Sequence, residues 1–431
     1  MSEMQLQTLV FDPIVFNDGR VEFLLPDDNY DSASMRISNL GMFASDVAQG
    51  NLVNAFYPLT CGVAQVIDRF TLLSGSDELE MLDHVSQWAT IKALNNPFTI
   101  AEDINHNTLH SGWNFSQQTS GDAAESGLLT LDSNGVDYYA TPLNGQLTPG
   151  NASRLSNTQY PPGSSASLNL SLISGLLQST PILPMIPQLR LVIEYDTNVS
   201  HYFNKAAIGA APASLRPTFP MLIVKRYMNA PKLPNVIQIP YTTVKCSSGF
   251  IVPAVVAPGA PPAVGLISRN TFQSYDFTGK MLKRLTMFNS PTSSVGTMLR
   301  GIRSSAQSNE VINFIINGEK YLPDNGIDTP AVKLQYLVNS YGNFNIPLLA
   351  TAYGLKSQEN VINTPDCIGN LALTAIKVDA MIKTAIQIEY NRQPVYGALP
   401  ASLEQLNILL FGELSQLLTV SAGRSSVSIA S

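Results

Sequence analysis

The chain has 431 residues, of which 45% are hydrophobic and 13% charged, with a formal net charge of −7. So much apolar content excludes an intrinsically disordered chain, and the acidic balance excludes a broad basic face for nucleic acid or anionic lipid. The length exceeds what one core supports, since cores stop growing near ~250–300 residues. Charge falls below the usual ~25%, so Asn, Ser, Thr, Gly and Pro must supply a mostly neutral, turn-rich exterior.

The first seven residues lack the basic-then-apolar order of a secretory leader, so synthesis inside the cell without export is expected. Residues 7–25 contain VFNDGRVEF, in which Asp18-Gly19 offers a type I′ turn between two short strands. Asp77, Glu78 and Glu80 then read as the acidic start of a helix carrying Leu82, Val85, Trp88, Ala89 and Leu94 at near-helical spacing. Further turns are expected at Asn134-Gly135 and Asn144-Gly145, and strands over 189–195 and 221–224.

Pro231 and Pro234 interrupt the pattern, because each removes a backbone donor and fixes φ. A new strand starts with Val236, Ile237 and Ile239. These features predict two β-modules: residues 1–230 with an N-terminal arm, a linker at 231–235, a second module over 236–421 and a tail at 422–431. Residues 250–267 are uncharged and nearly long enough to span a membrane, but four prolines forbid a continuous helix there. An extended loop is expected instead.

Downstream, strands are expected over 281–288, 346–353, 373–379 and 382–390, with a strand pair over 407–420. VINFIINGEKYL places strand formers on both sides of Asn317-Gly318. Asp328-Thr329-Pro330 supplies a cap and an N1 proline for a helix carrying Val332, Leu334, Leu337 and Val338, and Gly342 would stop it. Many short strands with frequent turn signals indicate an all-β protein of sandwiches or barrels, with a few inserted helices.

Residues able to do chemistry are few. The carboxylates Asp77, Glu78, Glu80 and Asp83 cluster, but a helix dipole and solvation account for neighbouring acids at a helix start. His106 and His110 have the i,i+4 spacing of a metal pair, yet the stretch INHNTLHSGWN suits a loop better than the helix such a pair requires. His84 and His201 stand apart from them. Cys61, Cys246 and Cys367 form neither a disulfide framework nor a CxxC knuckle and read as ordinary buried thiols. Lys280, Lys283 and Arg284 are the densest basic cluster, short of the stripe that nucleic acid needs. Sequons at Asn114, Asn151, Asn169 and Asn198 follow from an Asn/Ser-rich composition. With no GxSxG elbow or phosphate-binding GxxxxGK[ST] loop, no catalytic, cofactor-binding or metal-ligating residue is assigned, and no enzyme is expected.

Four stretches carry a family resemblance: VIDRFTLLSGSDELEMLDHVSQWATIKAL, LPMIPQLRLVIEYDTN, NAPKLPNVIQIPYTTVK and FTGKMLKRLTMFN. Their order resembles the double jelly-roll major capsid proteins of icosahedral double-stranded DNA viruses, most of all the virophage and polinton-like branch. The resemblance implies two consecutive eight-stranded jelly-roll sandwiches. It further implies a homotrimer forming a pseudo-hexagonal capsomer that tiles an icosahedral shell around a dsDNA genome, and a location in the virion. Neighbouring capsomers, minor capsid or penton proteins, an internal membrane and cement proteins are the partners it allows, without sequence-specific nucleic-acid binding. Two other classes fit an all-β chain: a carbohydrate-binding or carbohydrate-active sandwich, and a minor virion protein such as a penton or spike. The first needs aromatic residues on a concave face, and Trp88 and Trp113 are the only tryptophans. The second usually needs a single jelly roll.

Overall fold

The computed structural model describes residues 5–46, 51–54, 56–57, 62–94, 141–142, 167–198, 214–228, 234–251, 268–291, 308–322, 326–328, 330–342, 373–394, 406–421 and 424–429. The chain forms two compact units, Met1–Val244 with Ser415–Ser431, and Lys245–Leu414. The boundary falls inside the strand that follows the expected 231–235 linker.

In the first unit the early strands are β1 (Leu6–Phe11), β2 (Val15–Phe16), β3 (Arg20–Leu24), β4 (Tyr30–Ser38), β5 (Met42–Asp46), β6 (Asn51–Asn54) and β7 (Phe56–Tyr57). There follow β8 (Ile67–Ser74), β9 (Asp77–Asp83), helix α1 (Val85–Leu94), β10 (Thr141–Pro142) and β11 (Leu168–Asn169). Helix α2 (Gly175–Ser179), β12 (Ile182–Leu183), β13 (Leu189–Tyr195), β14 (Ser214–Pro217) and β15 (Met221–Tyr227) complete it. One antiparallel sheet runs β1-β15-β4-β11, with β12 also on β4, a second runs β2-β3-β13-β8-β9, and smaller ones run β14-β5-β6 and β10-β7. Alternate residues point inward, as the two-residue period of a strand requires. Leu189, Leu191 and Ile193 of β13 are buried, as are Leu222 and Val224 of β15. In β4 the phase changes from Tyr30 and Ser32 to Met35 and Ile37, where its pairing with β15 shifts register.

The second unit holds the later part of β16 and the earlier part of β23, strands that run along the chain from one unit into the other. Its elements are β16 (Val236–Ile251), β17 (Ser268–Ser274), β18 (Met281–Pro291), β19 (Ser308–Ile316), β20 (Glu319–Lys320) and α3 (Pro330–Tyr341). Then come β21 (Leu373–Met381), β22 (Ile386–Pro394) and β23 (Leu406–Ser421), while the final β24 (Arg424–Ile429) belongs to the first unit. The sheets run β16-β23-β18-β21 and β17-β22-β19-β20. Both contribute to one core: Leu285 and Met287 of β18, Ile376 of β21 and Leu410 of β23 meet Ile312 and Phe314 of β19 and Ile388 and Tyr390 of β22. Two antiparallel sheets closing on one apolar interior make a β-sandwich. The all-β expectation therefore holds.

Several elements match their expected positions. β13 covers residues 189–195, Asn317 (φ 55°) and Gly318 (φ 85°) make the left-handed turn between β19 and β20, and α3 begins at Pro330. Gly342 (φ 85°) ends α3, its N–H bonded to the Val338 carbonyl at 2.7 Å. Asn17, Asp18 and Gly19 join β2 to β3, but neither Asp18 nor Gly19 is left-handed; Asn17 Oδ1 instead accepts the Gly19 N–H at 2.9 Å.

Other expectations need correction. Residues 407–420 form one continuous strand rather than a pair, because they contain no turn chemistry. Gly412 marks a close approach there, since a Cβ would lie 2.3 Å from the Phe277 ring. The 422–431 segment contains β24, antiparallel to β23 from Gln416 to Ser421. Within 382–390 the strand starts only at Ile386, since Ile382 exchanges backbone hydrogen bonds with Gly279 and Lys280 in the preceding turn. Pro231, the turns at 134–135 and 144–145, the strand at 346–353 and the 252–267 loop lie outside the described residues. Among the described residues no helix is long and apolar enough to cross a membrane.

Candidate functional site

The acidic run is a strand. Asp77–Asp83 forms β9, hairpinned to β8 through Gly75 (φ 59°), and α1 starts only at Val85. Helical spacing misassigned it because Leu79 and Leu82 also satisfy an i,i+3 rule, whereas a bulge is what lets successive residues be buried here. The register shifts between Leu72 and Leu73, leaving Leu79 unpaired in the ladder, and both Leu79 and Glu80 are buried. Asp77 and Glu78 are exposed. Asp83 bonds Arg69, which also reaches Glu194 at 3.2 Å, and Glu22 takes Arg20 at 2.8 Å and Arg190 at 3.1 Å. The strand register sets Arg20, Glu194, Arg69 and Asp83 side by side across β3, β13, β8 and β9.

Glu80 has a different environment. Its Oε1 accepts the Gly175 N–H at 2.7 Å, and its Oε2 accepts the Ser174 hydroxyl and, at 3.3 Å, the Leu176 N–H. Ser174 is also the N-cap of α2, its Oγ accepting from Leu177 N. Burial pushes the Glu80 carboxyl up to about 7, and the three donors and Lys92 draw it only partly back. Beside it, the Tyr241 hydroxyl donates to the Leu79 carbonyl, and Gly175 lies so near β16 that a Cβ would sit 1.6 Å from the Thr242 carbonyl oxygen.

In the second unit the basic cluster divides. Lys283 is exposed, but Arg284 points to Glu413 at 2.7 Å and stacks over the Tyr341 ring, 4.0 Å from its centroid. Tyr341 also shares a hydrogen bond with Thr286. These contacts fix the end of α3 to β18 and β23, so Arg284 serves packing rather than a ligand.

Among the described residues of the first unit, several exposed apolar side chains lie on or beside β1 and β2, the edge strands of its two five-stranded sheets. Val10 and Ile14 are each 56% exposed, and Leu6, Val15, Phe16 and Phe219 are also exposed. Phe16 and Phe219 meet edge-to-face with ring centroids 5.1 Å apart. An apolar edge strand with unpaired backbone groups invites a partner.

No residue was assigned catalysis, a cofactor or a metal, and the described residues gather no three His, Cys, Asp or Glu side chains as a metal site. His106, His110, His201, Trp113, Cys61, Cys367 and the sequons at Asn114 and Asn151 lie outside the described residues. His84 accepts the Gln87 and Trp88 N–H groups at the start of α1, where Trp88 is buried as expected. Cys246 is only half-buried. Asn169 caps the turn before α2, through its side chain, to Ser171 N. Glu80, read from the sequence as one acid of a helix start, is instead buried in a strand, and its place between Leu79 and Met81 was the signal.

Two antiparallel sandwiches in a single chain define the double jelly-roll class. No protein-family model and no curated sequence matches the chain, but solved structures do. It is similar to a protein in the cryo-EM structure of the Sputnik virophage, with TM-score 0.60 and 10% identity, covering 99% of this chain and 89% of that one. It is similar to the mavirus major capsid protein, with TM-score 0.50 and 8% identity over 98% and 90% of the two chains. The Faustovirus major capsid protein matches at TM-score 0.50 and 8% identity over 98% and 91%. At such identities the likeness is one of fold. The chain has the double jelly-roll fold of viral major capsid proteins.

Proposed function

We propose that this protein is a major capsid protein whose homotrimers form pseudo-hexagonal capsomers of an icosahedral shell around a double-stranded DNA genome. The carrying observation is the likeness to the virophage structure over 99% of the chain, which spans both sandwiches rather than one. A penton or a lectin would need only one. The task is assembly, without catalysis, cofactor or metal, and the site of action is the virion. The division into jelly rolls at 1–230 and 236–421 around the 231–235 joint belongs to this proposal, as do contacts with neighbouring capsomers, minor capsid or penton proteins, cement proteins and an internal membrane.

The β1/β2 edge is the contact we assign to a second copy. A charge-poor chain desolvates few ions on association, and a head-to-tail contact closing after three copies gives a ring. Size-exclusion chromatography with light scattering tests this reading: the intact chain should be a trimer, and Val10→Glu with Phe16→Glu should give a folded monomer. A wild-type monomer that binds glycans would overturn it. Negative-stain images should show pseudo-hexagonal particles.

A further inference from the structure

Glu80 is a buried carboxylate whose direct hydrogen-bond partners, the Ser174 hydroxyl and the Gly175 and Leu176 N–H groups, are all neutral. Three elements meet at it: β9, which carries it; the Ser174–Leu177 start of α2, which surrounds it; and β16, where Tyr241 bonds the adjacent Leu79 carbonyl and Thr242 faces Gly175. The charged and titratable groups facing it are few. Lys92 of α1 attracts it from a distance while lying 5.0 Å from the Trp88 ring centroid. Tyr241 faces it from β16, pushed upward by burial and by Glu80 and Glu78. The β8 residue opposite is Leu72, and α2 brings only the Ser174 hydroxyl and two N–H groups.

We propose that Glu80 is a proton-controlled clasp: protonated, it holds the start of α2 and the Tyr241 and Thr242 segment of β16 closed on β9; ionised, it lets that junction open to water. A protonated carboxyl keeps every contact, since its carbonyl oxygen still accepts from the amides while its O–H meets the Ser174 hydroxyl, which can rotate to accept. An ionised carboxylate retains the donors but bears the cost of burial without a contacting cation. Opening hydrates it.

The sign follows from linkage. The folded carboxyl titrates at about 7, above its ordinary 4.5. Its contribution to closure is therefore fully present below about pH 4.5 and is lost as pH rises through about 7. Hydrogen exchange of the peptide covering residues 170–180, corrected for intrinsic rates, reads this opening directly. The wild-type protein should open about 100-fold more at pH 8 than at pH 5, levelling above pH 7. Glu80→Gln, which stays neutral, should be flat across that range. His84, four residues along, is of a type that titrates in the same window, so His84→Gln is measured alongside and should keep the wild-type dependence. A flat wild-type profile overturns the proposal, and that result needs no variant to fold. A dependence abolished by His84→Gln, or kept in Glu80→Gln, overturns it equally.

Discussion

Both sandwiches fasten a helix with an acidic side chain, and they do so in opposite ways. In the second unit Glu413 has Arg284 at 2.7 Å, and the guanidinium is itself covered by Tyr341 of α3. In the first unit Glu80 holds α2 with one hydroxyl and two amides, and burial moves its titration to about 7. Glu413 faces a cation, whereas Glu80 is buried among neutral donors, which makes its joint responsive to proton concentration near neutrality. The difference lies in the counter-ion, not in the number of hydrogen bonds.

The strongest way to break the first joint leaves Glu80 in place. Gly175→Ala would drive its Cβ into the Thr242 carbonyl, a backbone group that cannot rotate away, and should cost about 3 kcal/mol, seen as a lower denaturation midpoint with loss of α2 protection. In the second joint Arg284→Met should cost about 2 kcal/mol by leaving the buried Glu413 without its cation. Adding Glu413→Leu should recover most of that loss; a double variant as unstable as the single one would mean that the Tyr341 stacking, not the ion pair, holds α3. Gly342→Ala should be the mildest change, about 1 kcal/mol, because only the left-handed stop of α3 is strained and nothing crowds the site. Thermal melts of the three variants should fall in that order.

Local chemistry made much of this fold legible. Asn317-Gly318 and the Pro330-to-Gly342 helix were readable because turns and caps depend on a few residues within one segment. Burial of Trp88 followed from spacing alone. What could not be read was set by distant partners. The acids of β9 look like a helix start until β8 pairs with them and its bulge reorients Glu80. The 16-residue β23 looks like a hairpin until Phe277 explains Gly412. The clasp was least visible, since its donors lie 94 to 96 residues from Glu80, and no local pattern reports such a meeting.

The row of Arg20, Glu194, Arg69 and Asp83 across one sheet has a kinetic consequence. Opposite charges in register cancel within a few ångströms, well inside the ~8 Å screening length of physiological salt, so this face projects almost no long-range field. If copies of the chain assemble as proposed, any that approach over this face would be neither steered together nor held apart. Their encounter should proceed near the unsteered rate of about 10⁵–10⁶ M⁻¹s⁻¹ and change little with ionic strength. The pace of association is then set by local concentration.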